Sequence, residues 1–152
     1  MKIIINSVKG RFSDECEQTW YIEGGGKSVT LNYIYTSKYD LANFAVALQK
    51  FPTSIKDEVC FQQDFSQGSC WNKLLIHKAK RCGLFYLRCF LFNNLGHAAM
   101  EIKARDEGSP PFCFDINFSI QCEVACLNKL GISLETWCKG EMSEPFEFSD
   151  YD

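Results

Sequence analysis

Apolar and polar positions alternate with period two along residues 28–36. Val29, Leu31, Tyr33 and Tyr35 fall on one side, and Thr30, Asn32 and Ile34 on the other. That alternation predicts a half-buried strand with both tyrosines on the apolar side. The isoleucine-rich residues 2–8 and the stretch 16–23 predict two strands before it. Gly24-Gly25-Gly26 separates the second strand from the third, which predicts a hairpin turn, because glycine accepts the positive φ that such turns require. The period then changes. Leu41, Phe44, Ala45 and Leu48 stand at i, i+3, i+4 and i+7, one face of a helix. Ser37 with Asp40 three residues on resembles a capping box, and Pro52 stops the helix at Phe51, so the helix spans 38–50.

Strand patterns return at 59–65, 72–80, 84–92 and 97–105, separated by short breaks that join antiparallel neighbours. After Pro110-Pro111, Phe112, Phe114, Ile116, Phe118 and Ile120 alternate with Cys113, Asp115, Asn117, Ser119 and Gln121. This predicts one more strand with an apolar inner face. From Cys122 the spacing becomes helical, with Gly131 as its C′ residue and Ser133 capping a short turn through Trp137. The order βββ-α-βββββ-α predicts an α+β domain. One curved, largely antiparallel sheet of seven or eight strands would pack on the 38–50 helix, capped by a short C-terminal helix. No repeat of fixed period and no internal linker is visible. The expected domain is 1–140, followed by a tail at 141–152.

Composition narrows the function. With 152 residues, 46% hydrophobic and 23% charged, the chain reads as an ordinary globular domain, and its 13 phenylalanines suit a broad sheet. A net charge of −3 argues against a nucleic-acid-binding surface. No apolar run approaches a membrane span and no signal-peptide core follows Lys2, which predicts a cytoplasmic chain. Gly26-Lys27-Ser28 matches the end of a phosphate-binding loop. That loop needs an earlier glycine where Tyr21 stands, and a helix where strand alternation follows, so no nucleotide site is expected.

The nine cysteines are read as thiols in a reducing compartment. Cys122 and Cys126 are the closest pair. With only Cys113 near them, the spacing falls short of a zinc site, and no metal or other cofactor is expected. Ser66-Gln67-Gly68-Ser69-Cys70-Trp71 is similar to the nucleophile segment of papain-like proteases. However, Trp71 leads into a strand, and the chain has no room for the domain that would carry the histidine. His77 and His97 both lie within strand patterns. No catalytic residue is assigned.

The strongest charge asymmetry is C-terminal. Glu141, Glu144, Glu147, Asp150 and Asp152 occur with no base among them, interleaved with Phe146, Phe148 and Tyr151. These eight residues are the candidate partner-binding site, with Phe146 and Phe148 as anchors. The stretch Asp40–Pro52, a helix between strand blocks, and the run Phe114–Gly131 from strand into helix, resemble the small cytosolic immunity proteins that bacteria hold against polymorphic and contact-dependent toxins. The resemblance implies a non-enzymatic protein that binds and masks a cognate toxin. A nuclease toxin would present a basic surface to the acidic segment. The alternatives are a small-molecule or enzymatic domain using a pocket in the curved sheet, and a structural or regulatory adaptor.

Overall fold

The computed structural model describes residues 1–9, 15–65, 83–93, 95–106 and 113–150. The expected strand 72–80, Cys70-Trp71, His77, Cys82, Tyr151 and Asp152 lie outside these. The described residues form eight strands and two helices: β1 (Lys2–Lys9), β2 (Glu15–Gly24), β3 (Lys27–Ser37), α1 (Lys38–Lys50), β4 (Glu58–Phe65), β5 (Gly83–Leu91), β6 (His97–Asp106), β7 (Phe114–Glu123), α2 (Val124–Lys139) and β8 (Phe146–Ser149). The architecture is α+β and antiparallel, as expected, but the strands form two sheets rather than one. Sheet A has the order β3-β2-β1-β8, and sheet B the order β4-β5-β6-β7. Each sheet carries one apolar face, and the two bury each other. Trp20 of β2 makes the link, its ring 5.6 Å from Phe61 of β4 and 5.2 Å from Phe85 of β5.

The element order repeats, although the sequence shows no fixed period. A three-strand meander, a helix and a departing strand make up β1–β4. The same succession makes up β5–β8. In each case the departing strand joins the other sheet, β4 beside β5 and β8 beside β1. The two helices follow suit. Leu41, Phe44, Ala45 and Leu48 of α1 and Leu127, Leu130, Gly131 and Leu134 of α2 share one spacing, and all are buried.

The α1 boundaries match expectation. Ser37 caps it, with the Asp40 N–H donating to Ser37 Oγ at 3.0 Å and Ser37 Oγ donating back to Asp40 Oδ2 at 2.7 Å. Helix α2 departs from expectation by running through Gly131 to Lys139. Gly131 is there for close approach. A Cβ on it would lie 2.7 Å from the Ala45 carbonyl oxygen and 2.9 Å from Leu48 Cβ. The helices are antiparallel. Asn128 Nδ2 donates to the carbonyls of Leu48 at 2.8 Å and Phe51 at 2.7 Å, satisfying the open end of α1. Lys38 Nζ does the same for Gly140 at the end of α2, at 2.7 Å.

Gly25 and Gly26 form the β2–β3 turn with φ of 58° and 73°, the hairpin read from the glycine triplet. The alternation of β3 does not hold over its length. Gln18 faces Ile34 and Trp20 faces Leu31, so Asn32 and Tyr33 together oppose Thr19 in a β-bulge. Tyr33 takes φ of 62° to make it. The extra residue resets the phase: Ile34 and Thr36 turn inward, and Tyr33 and Tyr35 do not share the buried side with Val29 and Leu31. Burying Ile34 stabilises by about 1.5–3 kcal/mol, more than the roughly 1–2 kcal/mol cost of a left-handed tyrosine.

Candidate functional site

Both helices pack on the apolar side, so each sheet's outer face is built from alternate residues of its strands. On sheet A these include Lys2, Ile4, Asn6 and Val8 of β1, Glu17, Thr19, Tyr21 and Glu23 of β2, Tyr33 and Tyr35 of β3, and Glu147 of β8, as the strand registers place them. Among the residues whose side chains are described, three carboxylates, Glu17, Glu23 and Glu147, stand on this face with one lysine, Lys2. The Tyr21 hydroxyl donates to Glu23 Oε2 at 2.6 Å and that of Tyr35 to Glu17 Oε2 at 2.8 Å, which fixes both rings across the pleat. The Glu17 bond is the main cause that holds the Tyr35 phenol above its ordinary pKa. Tyr33 is 54% exposed at the bulge, which is stitched by Thr19 Oγ1 donating to Asn32 Oδ1 at 3.2 Å.

Sheet B's outer face differs in kind. Arg88 is paired with Glu58 and lies 3.5 Å from Glu101, Lys103 lies 2.9 Å from Glu101, and Arg105 lies 4.0 Å from Asp115. Arg88, Lys103 and Arg105 each stand within 4.0 Å of Glu58, Glu101 or Asp115, while Glu123 on the same face lies 3.7 Å from His97. The Arg88 guanidinium also covers the Phe90 ring at 4.6 Å, and its hydrogen bond holds Glu58 below the usual carboxylate range. Tyr86 shares a 3.2 Å hydrogen bond with the Cys60 thiol, which, with burial, pushes the phenol up to about 12.

The acidic C-terminal segment is not a tail apart from the domain. Residues 146–149 form β8 on the edge of sheet A, paired with Lys2–Ile5. Phe146 and Phe148 point inward and are 4% and 8% exposed, so the two expected anchors are core residues. Phe146 packs on Trp137 of α2 at 5.5 Å. Asp150 accepts from the Met1 ammonium and, at 3.1 Å, from the Cys126 thiol. Glu141, Glu144 and Glu147 remain exposed, and Glu147 alone of these has a place in sheet A. The residues of this outer face that sequence analysis did not single out as candidates are Tyr21, Tyr33, Tyr35, Glu17 and Glu23. The signal for Tyr33 and Tyr35 was present in Ile34, an apolar residue that simple alternation would leave on the polar side.

Cys122 and Cys126 are buried thiols, both pushed up to about 12, by burial first. Among the described residues no group of His, Cys, Asp and Glu is arranged to hold a metal ion. Among them, too, no helix is long and apolar enough to cross a membrane. No protein-family model, curated protein or solved structure matches the chain.

Proposed function

We propose that the protein is a non-enzymatic binding protein that neutralises a basic protein toxin by docking it on the outer face of sheet A. The observation that carries this reading is the contrast between the two faces. Sheet B sets each of Arg88, Lys103 and Arg105 beside an acid of its own face, whereas sheet A presents Glu17, Glu23 and Glu147 with Lys2 around three tyrosines. Unbalanced carboxylates steer a basic partner into encounter, and tyrosines supply contact area at low entropic cost. A toxin whose active cleft attracts phosphate would have the complementary surface.

The test pairs the purified protein with the product of the gene adjacent to its own and follows association and dissociation by surface plasmon resonance. Glu17→Lys with Glu23→Lys is expected to slow association and flatten its salt dependence. Tyr33→Ala is expected to speed dissociation by roughly 5–30-fold, the effect of losing a contact worth about 1–2 kcal/mol. Arg88→Ala, on sheet B, is expected to leave both rates unchanged. A partner whose rates respond to Arg88→Ala and not to the sheet A variants would refute this assignment of the face. Failure of the adjacent gene product to bind, or of the protein to rescue growth in its presence, would refute the toxin-neutralising reading.

A further inference from the structure

A groove of about 450 Å³ lies between α1 and β4, within the usual range for a binding site. Its lining is Asp40, Asn43, Phe44 and Ala47 from α1, and Cys60, Phe61, Gln62 and Gln63 from β4. The α1 contributors are one helical face, at i, i+3, i+4 and i+7. The β4 contributors are consecutive. Cys60 and Gln62 belong to the outer face of sheet B, and Phe61 and Gln63 to the inner one, by their pairing with Arg88, Tyr86, Leu87 and Phe85. A groove lined by both parities of a strand runs along its edge, not over a face. Among the described residues β4 is the edge of sheet B, paired on one side with β5. Every second N–H and C=O of β4 therefore points away from β5, toward the groove.

We infer that the α1–β4 groove is a peptide-binding site, in which an extended segment of a protein partner bearing a lysine or arginine adds to sheet B beside β4. Strand addition to an exposed edge takes its affinity from main-chain hydrogen bonds and its specificity from alternate side chains. Four residues of β4 offer about 13 Å of edge, enough for a short strand at about 3.3 Å per residue. The apolar floor is Phe44, Ala47 and Phe61. Asn43, Gln62 and Gln63 offer amide donors and acceptors. Among the described residues Asp40 is the only charged group lining the groove, and it is exposed. It selects for a cation and against an acid. The site uses none of the residues of the acidic face on sheet A, so it stands or falls independently of the function proposed above.

Phage display of random linear peptides against the full-length protein is the test. Peptides enriched in lysine or arginine are expected. On titration they should slow amide hydrogen exchange at Cys60–Gln63, which strand addition requires and side-chain contact alone does not. Asn43 is exposed, so Asn43→Trp should fill the groove without harm to the fold, lowering affinity by about tenfold or more. Gln62→Arg, also at an exposed position, should repel the same peptides. The inference is overturned if no peptide is enriched, if protection falls elsewhere than β4, or if both variants bind as the parent does.

Discussion

Deleting one residue from the middle of a strand ordinarily turns every side chain beyond it to the wrong face. At Tyr33 the opposite is expected. Removing it leaves Leu31 inward, Asn32 outward, Ile34 inward, Tyr35 outward and Thr36 inward, which is regular alternation against β2. The strain of a tyrosine at φ of 62°, roughly 1–2 kcal/mol, disappears with it. Deleting Tyr35 instead gives a chain of identical composition. The bulge can then be absorbed only by turning Tyr33 inward and Ile34, now fully buried, outward. Exposing that isoleucine costs about 1.5–3 kcal/mol, and forcing a tyrosine into its place about 1–3 kcal/mol more. The two deletions should therefore differ by at least about 3 kcal/mol. For a domain of this size that is roughly 6–12 °C in Tm. Urea unfolding followed by tryptophan fluorescence reads the difference directly, since Trp20 lies in the core next to Thr19, the residue the bulge opposes. Equal stability for the two deletions, or the reverse order, would refute the reasoning that the bulge exists to bury Ile34.

Two further outcomes follow from the packing. Truncation before Phe146 removes two buried phenylalanines worth about 1.5–3 kcal/mol each and uncovers the edge of β1, so the shortened protein should lose most of its stability in urea unfolding, where a solvated tail would lose none. Gly131→Ala should destabilise by about 1–3 kcal/mol, although alanine is the better helix former, because its Cβ would meet the Ala45 carbonyl; a more stable variant by the same assay would show that the helices can separate at no cost.

Local patterns were legible where local physics decides the structure. The 38–50 helix was read from its capping residues and its apolar spacing, and the glycine turn from its need for positive φ. What escaped was set by contacts distant in sequence. Gly131 looks like a helix terminus because glycine is a poor helix former, and only the presence of Ala45 across the crossing explains it inside α2. Phe146-Glu147-Phe148-Ser149 alternates over only four residues among acids, too few to separate a strand from a solvated end before β1 is known to lie beside it. The bulge at Tyr33 shows in a period-two count only as Ile34 falling on the polar side, since a single inserted residue preserves the alternation before and after it. Division into two sheets was missed for a related reason. Both helices read as covers for one sheet, whereas each carries the chain from one sheet to the other. The candidate site shows the same limit: Glu147 was noticed among the C-terminal acids, but Glu17 and Glu23, which share its face, lie on a strand distant in sequence and were not.

Because β4 and β8 are each lent by one half of the chain to the other half's sheet, the molecule has the connectivity of a strand-exchanged dimer whose two subunits have been joined end to end. In a true dimer of identical subunits every substitution appears twice, and a change that suits one surface is imposed on its counterpart. Joining the copies lifts that constraint. One half can gather acids around a strained tyrosine while the other sets its arginines and lysine beside its own acids. The exchanged strands also make the halves mutually dependent, since each completes its sheet only with a strand from the other. A chain built in this way cannot shed one half as a separate module, and what its two surfaces gain is the freedom to diverge.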